Sequence, residues 1–265
     1  MDRRYLEDFF LSLCRQSYQA FDVVILNDGY DDLAHFRSKY SNLNIVEIVY
    51  RGTIAENRQH AINYVKQHFY DVVIFGDSDD YFSENRVEKV IQLLDENDIV
   101  VNDISLFADT GVFEPAYIAH RVENNVQVDI QFIQNKNIFG LSNTALNLEI
   151  MDTVHLPAEL IAVDWFLFMT LMMARPIKAL FTSDTQTYYR QYIDNTVGLK
   201  RLTQDAYEHG LSVKEIHYRL LSSLDDRYHK LWNEIKVLQK KNMSDQYIQM
   251  LNANIDYPLW WENIK

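Results

Sequence analysis

The stretch Asp71-Val72-Val73-Ile74-Phe75-Gly76-Asp77-Ser78-Asp79-Asp80 places four consecutive apolar residues directly before a turn rich in carboxylates. A continuous apolar run of this length is typical of a strand that is buried on both faces of a parallel sheet. Two similar runs come earlier, at residues 21–26 and 45–49, and a turn follows each of them. Because helical patterns alternate with these strands, the sequence predicts an α/β fold with a mostly parallel sheet flanked by helices.

Helix signals accompany the three apolar runs. Residues 5–15 have helical spacing, and Thr53-Ile54-Ala55-Glu56 has the spacing of a capping box that opens a helix to about His68. Ser83 is expected to cap a further helix that ends near Leu94. The first hundred residues are therefore expected to be Rossmann-like.

The later parts of the chain have different patterns. Short β-like pieces such as residues 126–132 dominate the middle, and Pro157 is expected in the first turn of a helix over residues 157–175. The last third keeps helical spacing, and Ser212 with Glu215 predicts another capping box. We expect an α/β domain over residues 1–198 and a helical C-terminal extension over residues 199–265.

The composition limits the classes of partner. The chain has 265 residues, 48% of them hydrophobic, and its 25 Lys and Arg against 38 Asp and Glu give a formal net charge of -13. Such a chain repels a phosphate backbone, so nucleic acid is excluded as the expected partner. The single cysteine, Cys14, excludes an internal disulfide and fits a reducing cytosol. The N-terminus leads directly into a helical pattern without a signal-peptide core, so we expect a cytoplasmic location, at most at the inner face of the membrane.

Acidic turns follow two of the predicted strands. Ligands of open α/β sheets bind beyond the carboxyl ends of the strands, so Asn27-Asp28 and the turn at residues 76–80 are expected to line one crevice. Clustered carboxylates of this kind suit a hard divalent cation. The alternative is a solvated turn in which Asp80 or Ser83 caps the following helix.

Four segments, in this order, resemble the family 2 inverting glycosyltransferases with the GT-A fold, and the match extends over about residues 5 to 198. They are Tyr5-Leu6-Glu7-Asp8-Phe9-Phe10-Leu11-Ser12-Leu13-Cys14-Arg15-Gln16-Ser17-Tyr18, Phe21-Asp22-Val23-Val24-Ile25-Leu26-Asn27-Asp28-Gly29, Ile54-Ala55-Glu56-Asn57-Arg58-Gln59-His60-Ala61 and Phe75-Gly76-Asp77-Ser78-Asp79-Asp80. The last of these matches the Asp-x-Asp metal motif of the family.

The resemblance implies a role for several of these residues. Asp28 would recognise the nucleotide base, Asp77 would contact the ribose or the metal shell, and Asp79 would ligate Mn²⁺ or Mg²⁺ at the donor diphosphate. A metal there stabilises the negative charge that develops on the leaving group. The full set assigned to the donor is Asn27, Asp28, Arg58, Asp77, Arg190 and Tyr192, with Asp77 and Asp79 at the metal.

Asp164 is the candidate catalytic base. Ala162-Val163-Asp164-Trp165 resembles the family's Glu-Asp element, and flanking apolar side chains would raise the pKa of the carboxylate and make it a better proton acceptor. The alternative is that Asp164 supports the first turns of a buried helix.

The segment Tyr189–Gly198 resembles the family's Arg-Gln-His element, with Tyr192 in place of the His. A phenol is a poor metal ligand but donates a hydrogen bond to phosphate. Arg190 would pair with the diphosphate; otherwise it is a surface arginine on an edge strand.

The chain departs from the family at its start, where the family has an apolar strand and a Pro-Thr-Tyr-Asn-like turn before the first helix. We therefore expect a late-started chain whose sheet lacks a central strand and part of the nucleotide-base pocket.

The expected function is metal-dependent, inverting transfer from a nucleotide-diphosphate sugar, expected to be UDP-linked, to a carbohydrate or lipid-linked acceptor in polysaccharide or glycolipid assembly. One alternative is a non-catalytic sugar-nucleotide-binding or scaffold protein. Another is a phosphatase of the haloacid dehalogenase type, in which the Asp-x-Asp supplies a nucleophile and an acid.

Trp260-Trp261 is expected to pack on the body or on a partner subunit of a homo-oligomer; peripheral contact with a membrane or with a sugar also fits an aromatic pair.

Overall fold

The computed structural model describes residues 3–152, 154–192, 202–241 and 243–265. The helices are α1 Arg3–Cys14, α2 Leu33–Lys39, α3 Ile54–Gln67, α4 Arg86–Leu94, α5 Val163–Ala174, α6 Gln204–Ser222, α7 Arg227–Gln239 and α8 Asp245–Ala253. The strands are β1 Asp22–Asn27, β2 Asn44–Val49, β3 Val72–Ile74, β4 Tyr81–Phe82, β5 Ile99–Ala108, β6 Gly111–Glu114, β7 Val126–Gln127, β8 Thr144–Asn147 and β9 Ala179–Arg190. The expected α/β class is confirmed.

The strands form two sheets. β1 and β2 make a small parallel pair, and the main sheet has the order β3-β8-β5-β9-β4, with β6 on β5 and β7 on β9. Strand directions are more mixed than expected, because within the main sheet only β5 and β9 are a described parallel pair. The difference arises at β8, which returns antiparallel between β3 and β5 and is buried there.

A gap separates β1 from β3. Among the described strands, β1 pairs with β2 and β3 pairs with β8, so each leaves one backbone edge without a neighbour. The Tyr70 hydroxyl, just before β3, donates to Asp22 at the start of β1 over 2.6 Å. Residues along the length of both strands line the same cavity. The expected loss of sheet pairing is therefore present among the described strands.

The helix starts test the capping predictions. At α3 the capping box is confirmed: the Glu56 N–H donates to the Thr53 hydroxyl at 3.2 Å, and the Thr53 N–H donates to the Glu56 carboxylate at 2.8 Å. The prediction for Ser83 is wrong, because its hydroxyl accepts the N–H of Gln186 in β9 and α4 begins only at Arg86.

Three further boundaries differ from the prediction. Ser212 lies inside α6, where its hydroxyl donates to the Glu208 carbonyl, and Thr203 caps the helix instead. The residues from Pro157 to Ala162 form turns, so α5 begins six residues later than expected. Of residues 126–132 only the first two form a strand. Apolar spacing alone does not distinguish a helix from a buried irregular segment, because both bury the same side chains.

The cores differ in size. The larger core joins the main sheet, α5 and the C-terminal helices α6–α8, and the smaller one joins α1, α2, β1 and β2. The division at residues 198/199 falls outside the described residues and stays a prediction, but the extension packs on the same core as the sheet. None of the described helices has the length and apolarity needed to cross a membrane.

Candidate active site

A cavity of about 630 Å³ opens where the carboxyl ends of β1 and β3 meet the first turn of α5. Of the residues predicted for the site, those that line it are Asn27, Asp28, Arg58, Asp77, Asp79, Asp164 and Tyr192. The parts of the chain that supply them lie up to 165 positions apart, from Asn27 to Tyr192. Arg190 is not among the described residues that line the cavity.

The three carboxylates of the acidic turn have different surroundings. Asp77 pairs with the Arg58 guanidinium at 2.5 Å, and Asp79 accepts a hydrogen bond from the Tyr192 hydroxyl at 2.9 Å. Asp80 is buried and accepts the Ser142 hydroxyl at 2.5 Å and the Arg190 N–H at 2.8 Å. Asp80 therefore ties the turn to the main sheet, which is a different role from capping the next helix.

Burial and neighbouring charges alter the pKa of two carboxylates in the acidic turn. Burial and then the nearby Asp77 raise the pKa of Asp79, and burial, Asp79 and Asp77 raise that of Asp80 well above its usual range. Half-buried like charges raise each other's pKa because the ionised forms repel. A cation in this turn would favour the ionised form of Asp79.

Arg58 supplies a cation to the cavity from the first turns of α3. The charge on Asp77 raises the pKa of Arg58, and Asp164 and Asp79 act in the same direction. One guanidinium thus lies within electrostatic reach of the acidic turn and of the candidate base. An anionic ligand in the cavity would compete with Asp77 for it.

The turn after β1 is shaped by Asn27. Its side-chain amide donates to the Tyr30 carbonyl and to Glu47, both at 2.7 Å, and its oxygen accepts the N–H groups of Gly29 and Tyr30. Gly29 has φ +138, a conformation that a residue with a Cβ rarely adopts. These bonds leave the exposed Asp28 at the mouth of the cavity, whereas a direct contact of Asn27 with a donor stays a prediction.

Asp164 lies in the first turn of α5 and is half-buried. Its carboxylate accepts the Trp165 N–H at 2.7 Å and the Asn137 amide at 3.3 Å. Burial raises the pKa of Asp164 to about 7, and Asp77 adds to the rise, while the Trp165 N–H and Arg58 oppose it. A carboxylate with a pKa near neutrality is suited to accept a proton in catalysis.

Arg190 and Tyr192 support the acidic turn from the end of β9. The Arg190 guanidinium is only 5% exposed; it donates to the Asp79 carbonyl at 2.7 Å and to Asp8 at 2.6 Å. The alternative of a surface arginine is therefore wrong. A contact between Arg190 and a diphosphate stays a prediction. Tyr192 lies at the cavity with its pKa raised, first by burial and then by Asp79.

Several residues at or next to the cavity were not predicted. Ser142 lines it and accepts the Asp77 N–H at 3.3 Å besides its bond to Asp80. The buried Asn137 does not line it but donates to Asp164. Neither carries a local sequence signal. Trp260 and Trp261 also line the cavity, and here the paired aromatics were a signal without a location.

Two carboxylates of the acidic turn, Asp77 and Asp79, are placed to serve as protein ligands of a metal ion. Among the described residues, no group of three or more His, Cys, Asp or Glu side chains is arranged around a common point for a metal ion. Mg²⁺ is often held by one or two carboxylates together with substrate phosphates and water. Asp77 and Asp79 fit that smaller set.

Comparisons with known proteins agree with this architecture. Residues 2–147, more than half of the chain, match the family described as "Glycosyl transferase family 2". No curated protein matches the chain at a significant level. Among solved structures, the chain is similar to S. aureus TarS 1-349 in complex with UDP, with a TM-score of 0.61 and 18% identity over 94% of this chain and 75% of that one. The same fragment in complex with UDP-GlcNAc gives a TM-score of 0.60, 18% identity, and 94% and 76% coverage.

More distant structures share the fold. GalNAc-T7 with UDP, GalNAc and Mn²⁺ matches with a TM-score of 0.55 and 10% identity over 97% of this chain and 49% of that one. In the comparison with a longer TarS structure, this chain covers 46% of that chain. At such identities the likeness concerns the fold, which is the expected GT-A fold.

Proposed function

As a member of glycosyl transferase family 2 this chain is a glycosyltransferase, and we propose that it moves a sugar from a UDP-sugar to an acceptor hydroxyl with inversion. The observation that carries the proposal is the single cavity shared by Asp28, the acidic turn and Asp164, whose pKa is raised to about 7. The similarity to TarS solved with UDP and with UDP-GlcNAc supports a uridine nucleotide as the donor.

In the donor half, Asp28 recognises the base and the diphosphate lies between Arg58 and the acidic turn. The diphosphate displaces the Arg58 guanidinium from Asp77, because a bidentate contact with phosphate is at least as favourable as one with a carboxylate. Tyr192 keeps its hydrogen bond to Asp79 or donates to a phosphate oxygen.

Mn²⁺ or Mg²⁺ is the proposed cofactor, held by Asp79 and Asp77 together with the diphosphate. Bound there, a divalent cation supplies positive charge to the leaving diphosphate as the anomeric bond breaks. The placement of Asp77 and Asp79 on the same cavity supports this choice, since Mg²⁺ is often held by one or two carboxylates together with phosphates and water.

In the acceptor half, Asp164 takes the proton. The acceptor oxygen forms a bond to the anomeric carbon, the bond from that carbon to the diphosphate oxygen breaks, and the acceptor's proton goes to the Asp164 carboxylate. The nucleoside diphosphate leaves with the electron pair. One displacement of this kind inverts the anomeric configuration.

Of the two alternatives to glycosyl transfer that the sequence left open, one is excluded and one remains. The phosphatase interpretation is wrong, because residues 2–147 belong to family 2. A chain that binds the donor without turnover is the remaining rival, and the gap beside β1 favours it, since this gap borders the proposed base pocket.

The cellular setting is a separate proposal. A carbohydrate or lipid-linked acceptor, polysaccharide or glycolipid assembly, a cytoplasmic location, peripheral membrane contact and a homo-oligomer all stay predictions.

Titration calorimetry with UDP, with and without Mn²⁺, tests the donor half. We expect metal-dependent UDP binding by the parent protein and loss of that dependence in Asp79→Ala, because Asp79 is the proposed ligand. Asp109→Ala changes an exposed carboxylate in the turn between β5 and β6, and it should bind like the parent. Equal metal-dependent affinity in Asp79→Ala would remove Asp79 from the metal site.

Release of UDP from UDP-GlcNAc and other UDP-sugars separates the enzyme from its rival. Turnover by the parent protein supports transfer or hydrolysis at this site. Donor binding without turnover across acceptors would leave the non-catalytic interpretation.

A further inference from the structure

The C-terminal segment adjoins the candidate base. The Asn137 side chain donates to Asp164, and the Asn137 N–H donates to the Trp260 carbonyl at 2.9 Å in an antiparallel bridge. Trp260 and Trp261 both line the cavity that holds Asp164. The last residues of the chain therefore form the wall on the acceptor side of the base.

The two tryptophans of this wall are placed differently. Trp260 is 8% exposed, its ring meets Tyr189 edge to face, and a Cβ at Gly140 would come within 3.1 Å of it. Trp261 is half-buried, so part of its ring remains open beside the cavity. Within the described part of the chain, the buried Trp260 Nε1 has no hydrogen-bond partner.

The backbone at Trp261 is strained. Its φ is +67, in the left-handed region that bulky residues seldom adopt, and Tyr257 in the same segment has φ +52. Strained residues persist only where their surroundings over-determine them, and they concentrate at ligand-binding sites.

Several bonds fix the segment against the body. Tyr117 donates to the Pro258 carbonyl at 2.9 Å, and the Lys214 ammonium donates to the Ile264 carbonyl at 2.8 Å. Glu262 pairs with Arg121 and accepts the Leu259 N–H at 3.0 Å. The segment is thus held on both sides of Trp261.

We propose that Trp261 is the platform on which the ring of a pyranose acceptor packs, with one acceptor hydroxyl directed at Asp164. The inference rests on the proposed glycosyl transfer. The C–H groups of a pyranose carry partial positive charge and suit the negative face of an indole. An open-chain polyol lacks a flat C–H face, so the platform selects cyclic sugars.

Saturation-transfer NMR in the presence of UDP and Mg²⁺, which is diamagnetic, tests this assignment. The probes are methyl β-D-glucopyranoside and methyl N-acetyl-β-D-glucosaminide, with open-chain ribitol as the comparison. We expect transfer to the ring protons of a pyranoside in the parent protein, and an apparent affinity about tenfold weaker in Trp261→Leu. Trp261→Phe, which keeps an aromatic face, should retain most of the signal.

Matched measurements separate the platform from general damage. Trp232→Ala changes a tryptophan on α7 and should leave both pyranoside and UDP binding as in the parent. All four proteins should bind UDP equally. An equal pyranoside signal in Trp261→Leu, an equal signal from ribitol, or no pyranoside signal in a parent that binds UDP would overturn the platform. Failure of the parent to bind any UDP or UDP-sugar would instead overturn the proposed function.

Discussion

The two walls of the cavity are built to different degrees of rigidity. The donor wall, made of α1, α2, β1 and β2, has its own small core, and β1 is mostly half-buried. The acceptor wall rests on the main sheet, where Ile99 to Phe107 of β5 are all buried, and on the clamped C-terminal segment. Elements with few buried contacts and open backbone edges open at lower free energy than core strands. Asp164, the proposed base, is therefore held more firmly than the residues proposed to recognise the nucleotide.

The substitution with the largest expected effect tests whether the acceptor wall carries out catalysis while the donor wall binds the nucleotide. Asp164→Asn should lower transfer by about 10² to 10⁴-fold, because an amide cannot accept the proton of the acceptor. UDP affinity should stay near that of the parent, since the donor wall is unchanged. Steady-state kinetics together with calorimetry check both halves. A well-folded variant with the parent kcat would show that Asp164 is not the base.

The pH dependence sharpens the same comparison. Because the pKa of Asp164 is raised to about 7, the carboxylate is protonated and inactive below that pH, and transfer should decline as the pH falls through about 7. An unfolded Asp has a pKa of about 3.9, so the folded protein binds the extra proton between about pH 4 and 7. Its contribution to the free energy of unfolding therefore decreases as the pH rises through that window. Asp164→Asn should remove this contribution, which thermal unfolding at several pH values measures.

A pair of arginine substitutions compares the stability of the walls. Arg86 is buried beneath the acidic turn and donates to Asn102 at 2.9 Å and to the Phe75 carbonyl at 2.8 Å. Arg86→Met should lower the free energy of unfolding by about 2–4 kcal/mol, because it leaves buried acceptors without a donor. Chemical denaturation measures this change.

The control for that variant lies in the donor wall. Arg37 pairs with Glu47 at 3.2 Å, but its side chain is 43% exposed, so Arg37→Met should change the same quantity by less than about 1 kcal/mol. Equal losses of unfolding free energy in Arg86→Met and Arg37→Met would contradict the conclusion that the acceptor wall is more rigid than the donor wall.

The smallest effect concerns the tie between the walls. The Tyr70 hydroxyl donates to Asp22 across the gap, and this bond raises the pKa of Tyr70 to about 12. Tyr70→Phe should cost about 0.5–1.5 kcal/mol and speed hydrogen exchange in β1 and β2 while leaving β5 unchanged. Tyr18→Phe, at an exposed tyrosine, is the control. Faster exchange in β5 as well would mean that the walls open as one unit.

Local patterns were sufficient for much of the donor side. The first helix and the capping box at Thr53 are each decided by neighbours in the sequence, and each was found as predicted. Within the run at residues 71–80 a strand was found, but it is limited to Val72–Ile74, is half-buried and is antiparallel to β8. The acidic turn and Asp28 follow from the rule that ligands bind at the carboxyl ends of strands. The prediction that Ser83 caps α4 failed because the residue that donates to its hydroxyl, Gln186, lies about a hundred residues away in the sequence.

The sequence by itself determined the α/β units, the family and the residue types available for the chemistry. Only the tertiary structure decided that Asp80 and Arg190 support the acidic turn, that Asn137 orients Asp164, and that the C-terminal tryptophans reach the same cavity. The physical reason is that burial, pKa and hydrogen-bond partner depend on groups distant in the chain. Such groups meet only when the core is packed, whereas helix caps and apolar runs act within a few residues.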